Sequence, residues 1–196
     1  MGSCLILTHG AGSNREAPLL VAVDQAIKSI GMDVIRINLP FREARPSGPP
    51  RHGDPERDRQ GLRDAVGRAA LEFGGPIYLG GHSYGARQST MLAAEQPSLI
   101  AGLLLMSYPL HPPRKPAELR TAHLPDLRTP SLWIQGSRDP FGSIQEVRAA
   151  MKLVTARAEL LEIAGAGHEL SRKSAAMAEV AGRIALEFQR FFADRQ

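Results

Sequence analysis

The stretch Pro76-Ile77-Tyr78-Leu79-Gly80-Gly81-His82-Ser83-Tyr84-Gly85 decides how this chain is read. An apolar run ends in a G-x-S-x-G string, the pattern of a strand that turns sharply into a helix with a serine at the apex. The backbone of such a turn is strained and crowded two residues to either side of the serine, so glycine stands at 81 and 85. The turn presents the Ser83 hydroxyl to a cleft and leaves the amide of Tyr84 free to meet an oxyanion. Isolated G-x-S-x-G strings are common. The flanking sequence has to decide what this one means.

Working outward, short apolar runs alternate with longer helical patterns. Strand candidates are Cys4–Thr8, Val34–Asn38, Pro76–Gly80, Gly102–Met106, Ser131–Gln135 and Glu159–Ile163, nearly continuous in Leu, Ile and Val as strands buried on both faces must be. Between them, Leu62, Ala65, Val66, Ala69, Ala70 and Phe73 repeat at helical spacing, and Asp54-Pro55 suits an N-cap followed by proline at the first helical position. Leu20, Val23, Ile27 and Ile30 form a second stripe closed by Gly31. Ile144, Val147 and Met151 form a third, opened by Ser143 and Glu146 in capping-box spacing. A last helix is expected from about Lys173 to Phe192. Repeated strand–helix units call for an α/β fold: a doubly wound, mostly parallel six-stranded sheet flanked by helices, in a single domain over 1–196.

Two segments break this rhythm. Arg42–Gly53 holds five prolines or glycines and four basic side chains, which predicts a loop. Pro109–Pro130 is proline-rich, with at most a short helix near Ala117–Thr121. Both leave the carboxyl edge of the sheet, where ligands bind in such folds, so both are expected to wall a site.

A serine hydroxyl at neutral pH is a poor nucleophile until a histidine takes its proton and a carboxylate orients that histidine. Asp139 lies just past the strand ending at Gln135, in Gly136-Ser137-Arg138-Asp139-Pro140. His168 lies past the strand ending at Ile163, in Gly165-Ala166-Gly167-His168. Ser83, Asp139 and His168 thus each follow a different strand at one edge, in the chain order serine, acid, histidine. Singly, Asp139 reads as the start of a turn before Pro140, and His168 as a cap on the last helix. Together with the elbow they read as a catalytic triad. A tetrahedral oxyanion needs two N–H donors. The Tyr84 amide is one, and the turn His9-Gly10-Ala11-Gly12 offers the other, with Ala11 the choice and Gly12 next.

Substrate-lining candidates are Gly12, Tyr108 and His111. Tyr108 reads equally well as a core aromatic. His111 and His123 lie in the irregular segment, where solvent exposure is the plainer reading, and His82 is expected to pack beneath the elbow. Arg42, Arg45 and Arg51 stand near the mouth, either to draw an anion or simply solvated.

Composition narrows the classes further. The chain has 196 residues, 43% hydrophobic and 22% charged, which is ordinary for a globular protein. No apolar run nears the roughly 20 residues of a membrane span, and the start has no basic region of a signal peptide. Cys4 is the lone cysteine, which excludes an internal disulfide and fits a cytoplasmic location. The net charge is +4, but the 24 basic residues are mixed among acids and form no stripe with interleaved aromatics, so no nucleic-acid partner is expected. No metal-binding, dinucleotide or Walker pattern appears, and no cofactor is expected.

Elbow, triad order and the His9–Gly12 turn together resemble the α/β-hydrolase superfamily over nearly the whole chain. His9–Gly12, Gly80–Arg87, Tyr108-Pro109-Leu110-His111-Pro112-Pro113, Leu124-Pro125 and Gln135–Gly142 are similar to one branch, small predicted hydrolases of dienelactone-hydrolase type. That branch includes a domain in a subunit of the non-specific-lethal histone acetyltransferase complex. The resemblance implies eight strands in larger relatives. This chain begins at what would be their third strand, and Pro109–Pro130 stands where many relatives insert a helical cap, so a minimal fold without cap domain is expected.

Two functions follow. One is a serine hydrolase that cleaves a small carboxylic ester, thioester or lactone through an acyl-enzyme on Ser83. The other is a non-catalytic interaction module on the same fold, since fold does not dictate function. The oligomeric state stays open, a homodimer included.

Overall fold

The computed structural model describes residues 2–171 and 173–193. Six strands form one sheet: β1 (Gly2–Thr8), β2 (Asp33–Ile37), β3 (Gly74–His82), β4 (Gly102–Met106), β5 (Ser131–Gly136) and β6 (Ala158–Ile163). Their spatial order is β2-β1-β3-β4-β5-β6, and every neighbouring pair is parallel. The helices are α1 (Pro18–Ser29), α2 (Pro40–Ala44), α3 (Asp54–Phe73), α4 (Tyr84–Glu95), α5 (Ile144–Met151) and α6 (Ser174–Ala193).

Because successive strand residues point to opposite faces, each central strand feeds two cores. Cys4 and Ile6, Ile77 and Leu79, and Leu103 and Leu105 pack with Leu62 and Val66 of α3, Leu92 of α4 and Val147 of α5. Leu5 and Leu7, Leu104 and Met106, and Leu132 and Ile134 pack with Leu20 and Ile27 of α1 and Ile184 and Phe188 of α6. Each fully buried aliphatic side chain contributes roughly 1.5–3 kcal/mol relative to exposure. A few such residues outweigh the unfavourable helix propensity of Gly61 and Gly67 within α3, about 1 kcal/mol each.

The chain leaves β1 towards β2, then returns to place β3 on the other side of β1. The loops after β1 and β3 therefore diverge at the switch point of the sheet, where a crevice must open at its carboxyl edge. Ala11 and Ser83 sit on those two loops.

Three local expectations are corrected. Residues 42–44, expected in a loop, belong to the short helix α2, which Pro40 opens at its first position. Its five residues are too few to display a period. Ala117–Thr121 forms no helix; the helical turn of this segment is a 3₁₀ turn at Leu124–Asp126, because the Arg120 N–H donates to the Leu110 carbonyl (2.8 Å) and folds the chain back. Gly53, in the left-handed region at φ 82°, precedes α3 in place of Asp54. The Asp54 carboxylate instead lies fully buried, accepting from the Arg51 N–H (2.6 Å) and pairing with Arg45 and Arg57. The capping box at Ser143 and Glu146 is formed as the spacing predicts.

Candidate active site

Ser83 occupies the left-handed region at φ 53°, ψ −114°, one residue past the end of β3 and directly before α4. A non-glycine residue in that region stores strain that the surroundings must hold. The two flanking glycines make room for it. A Cβ on Gly81 would sit 2.6 Å from the Thr8 carbonyl oxygen, and one on Gly85 would sit 2.8 Å from the His9 carbonyl oxygen. The main chain locks the turn: the Ser83 N–H donates to the Met106 carbonyl (2.8 Å) and the Gly85 N–H to that of His9 (3.1 Å).

Asp139 follows β5 with its side chain fully buried. Its carboxylate accepts from the Phe141 N–H (2.9 Å) and holds Nδ1 of His168 at 2.9 and 3.0 Å. A carboxylate only accepts, so Nδ1 carries the proton. Nε2 of His168 is then the acceptor for the Ser83 hydroxyl, 2.8 Å away. The Phe141 ring lies against the imidazole, centroids 4.2 Å apart. The structure thus brings Ser83, His168 and Asp139 into one hydrogen-bonded chain with the proton placed so that the hydroxyl can be drawn towards Nε2.

The turn after β1 is fixed just as tightly. His9 is fully buried; its Nε2 accepts from the Leu39 N–H (3.0 Å), so Nδ1 donates to the Gly10 carbonyl (2.8 Å). Burial pulls His9 below its ordinary pKa, which keeps the ring neutral in these roles. The Gly10 carbonyl and the Ala11 N–H share one trans peptide and point opposite ways. Holding the carbonyl therefore fixes the orientation of the Ala11 N–H. The Ala11 carbonyl is held by Arg42 (2.9 Å), which also binds the carbonyls of Ser13, Arg45 and Gly48. On the other side, the Tyr84 hydroxyl donates to Asp58 (2.7 Å), whose second oxygen accepts the Phe41 N–H (2.9 Å). Burial pushes the Asp58 carboxyl above the usual range. The amides of Ala11 and Tyr84 take no acceptor among the described residues.

These groups border a cleft of about 720 Å³ lined by Gly10–Ser13, Pro50, Arg51, Ser83, Tyr84, Arg87, Pro109, Arg120, Phe141 and His168. Both irregular segments supply walls, and Gly12 lines it with Ala11. A larger hollow of about 940 Å³ lies between the His168 loop and α6, but neither Ser83 nor the Ala11 turn borders it.

Several residues are placed elsewhere than the sequence suggests. Tyr108 is fully buried, donating to the Arg120 carbonyl (2.8 Å) and packing on Trp133, and does not line the cleft. His111 is buried away from it, its Nδ1 2.9 Å from the Pro112 carbonyl. Nor is His123 solvent-exposed: its Nε2 meets the Thr90 hydroxyl at 2.8 Å, and burial lowers its pKa to about 4. Arg42 and Arg45 are occupied by main-chain carbonyls and Asp54, leaving Arg51 at the mouth. Asp58, and the supporting roles of His9 and Arg42, are not legible in the sequence because Tyr84, Leu39 and the Ala11 and Ser13 carbonyls that they meet are distant in the chain, and no local pattern singles out Arg87 or Arg120 as cleft-lining. Only the two β-branch-free turns they support are legible.

A six-stranded parallel sheet with an elbow at the end of β3 is the α/β-hydrolase fold, and solved structures agree. The fold matches Est1E from Butyrivibrio proteoclasticus (TM-score 0.78, 17% identity, 98% of this chain and 89% of that one). It also matches the dienelactone hydrolase from Anabaena variabilis ATCC 29413 (TM-score 0.76, 22% identity, 97% and 87%). A protein of Escherichia coli (strain K12), provisionally named carboxymethylenebutenolidase, is 30% identical over 116 residues, 54% of this chain and 41% of that protein. The chain thus spans less than half the length of this curated relative. The family model described as "Alpha/beta hydrolase domain" matches residues 2–192, and the chain belongs to that family.

Proposed function

We propose that the protein is a serine hydrolase that cleaves small carboxylic esters, thioesters or lactones through an acyl-enzyme on Ser83. The observation that carries this reading is the 2.8 Å contact between Ser83 Oγ and His168 Nε2, continued at 2.9 Å from Nδ1 to Asp139.

In this reading Ser83 Oγ attacks the substrate carbonyl carbon while its proton passes to His168 Nε2. Asp139 stabilises the imidazolium and holds its orientation. The carbonyl oxygen becomes an oxyanion that the Ala11 and Tyr84 amides receive; a donor of this kind is worth roughly 2.7–4 kcal/mol in the transition state. Collapse breaks the bond to the leaving alcohol or thiol, which takes the proton from His168. A water then gives its proton to His168, attacks the acyl-enzyme, and releases the acid and Ser83. Family membership supports hydrolysis, and the open, proline-walled cleft supports small substrates. The intact proton chain argues against the alternative of a non-catalytic module.

Turnover of p-nitrophenyl acetate tests the reading. Ser83→Ala is expected to lose on the order of 10³-fold or more in kcat. Full activity in that variant would refute the assignment.

A further inference from the structure

A carboxylate taken out of water is costly to a fold unless a cation pairs with it, and such groups are correspondingly rare. Asp58, in the second turn of α3, is fully buried, and its partners among the described residues are two neutral donors. The Phe41 N–H donates to one oxygen (2.9 Å) and the Tyr84 hydroxyl to the other (2.7 Å). Both oxygens accept, which suits the ionised form. Arg57, the residue before it, pairs with Asp54.

The two donors belong to different walls of the site. Tyr84 opens α4 directly after Ser83. Phe41 lies in α2, where the adjacent Arg42 holds the carbonyls of Ala11 (2.9 Å) and Ser13 (2.7 Å). The Phe41 ring meets the Tyr84 ring edge-on, centroids 5.6 Å apart, and lies equally far from the His9 ring on its other side. Asp58 therefore bonds both to the residue that follows the serine and to the short helix that fixes the turn after β1. Ser83 is strained at φ 53°, and a rotation of the Ser83–Tyr84 peptide would relieve that strain. A Tyr84 side chain anchored at its far end resists such a rotation.

We propose that Asp58 is a positioning residue for the reaction: through the Tyr84 hydroxyl and the Phe41 N–H it holds the Ala11 turn and the start of α4 in fixed relation around the oxyanion. It does not line the cleft and touches no substrate. The inference rests on the hydrolase reading and on the oxyanion role given there to the Ala11 and Tyr84 amides.

Steady-state hydrolysis of p-nitrophenyl acetate and of its thiono analogue, with sulfur in place of the carbonyl oxygen, tests it. Sulfur is the larger atom and the weaker hydrogen-bond acceptor, so a closely held oxyanion hole favours the oxygen ester and a loosened one favours it less. Tyr84→Phe keeps the amide and the ring but removes the tether; Asp58→Asn keeps the volume but removes the charge. In each variant kcat for the oxygen ester is expected to fall about tenfold with KM little changed. The oxygen-to-sulfur rate ratio is expected to fall by about threefold or more. The double variant is expected to lose no more than the worse single one, because both changes cut the same link. Damaged packing alone would slow the two esters alike and leave the ratio at its wild-type value. Should Asp58→Asn unfold, Tyr84→Phe, which leaves the carboxylate in place, decides. An unchanged ratio in Tyr84→Phe, or additive losses in the double variant, overturns the role of Asp58 and leaves hydrolysis by Ser83 standing. A wild type that turns over neither ester, or a Ser83→Ala variant as active as wild type, overturns the hydrolase reading and this role with it.

Discussion

Nε2 of His82 lies 2.8 Å from the main-chain carbonyl of His168. A carbonyl only accepts, so Nε2 is the donor, and the residue before the elbow serine ties down the loop that carries the imidazole. The two rings also touch, centroids 5.0 Å apart. Burial holds His82 below its ordinary pKa and so keeps it neutral. His82→Leu removes the donor at similar volume. We expect kcat on ester substrates to fall by about 10–100-fold with KM little changed, the cost of a slightly misplaced general base. Steady-state kinetics checks this; an unchanged kcat would show that the loop stands without the tether.

Asp139→Asn keeps the acceptor for the Phe141 N–H but presents His168 with an amide in place of a carboxylate. The Nδ1 proton is no longer specified, and the wrong tautomer aims an N–H at Ser83. We expect a loss of about 10³–10⁴-fold in kcat with the melting temperature nearly unchanged. A variant that stays within a few fold of wild type would remove Asp139 from the relay.

Acid should weaken the fold through its histidines. His123 titrates at about 4 in the folded chain, against an unperturbed 6.5. The unfolded chain therefore binds the proton first, and stability falls as pH drops from about 6.5 towards 4, then levels for this group. His9 and His82, both lowered by burial, act in the same direction, while Asp58, raised by burial, opposes them above its unfolded value. Because His123 is partly exposed, its share is on the order of 1–2 kcal/mol once solvent screening is allowed for. Melting curves from pH 7.5 to 4.5 are expected to show a falling midpoint, with a shallower slope in His123→Gln. A flat profile would contradict this.

Cys4 is fully buried in β1, and burial pushes its thiol up to about 11. It is neither ionised nor reachable at neutral pH. Incubation of the native protein with iodoacetamide is expected to leave both the thiol and esterase activity intact, with one equivalent alkylated after denaturation. Rapid native alkylation would overturn this.

What the sequence made legible follows a physical pattern. The strands show because apolar runs buried on both faces leave an unbroken signature, as Leu103-Leu104-Leu105 does in β4. Ser83, Asp139 and His168 could be placed at one edge because each directly follows a strand, and parallel strands share a carboxyl edge. Their contact distances needed the folded chain. The residues that hold them were hidden for the opposite reason. His9 meets Leu39 at a separation of 30 residues, Asp58 meets Tyr84 at 26, and His82 meets His168 at 86. No local pattern records such pairings. Tyr108 and His111 follow β4 towards the site edge and then fold inward, because the chain's return through Arg120 buries them.

Covalent capture by a fluorophosphonate probe addresses the relay most directly, since it reports an activated serine whatever the natural substrate. Intact mass and peptide mapping of the wild type are expected to show one adduct, on Ser83, formed quickly at neutral pH, absent in Ser83→Ala and strongly slowed in His168→Ala. A wild type that stays unmodified at saturating probe, or carries the adduct on another residue, would contradict the account.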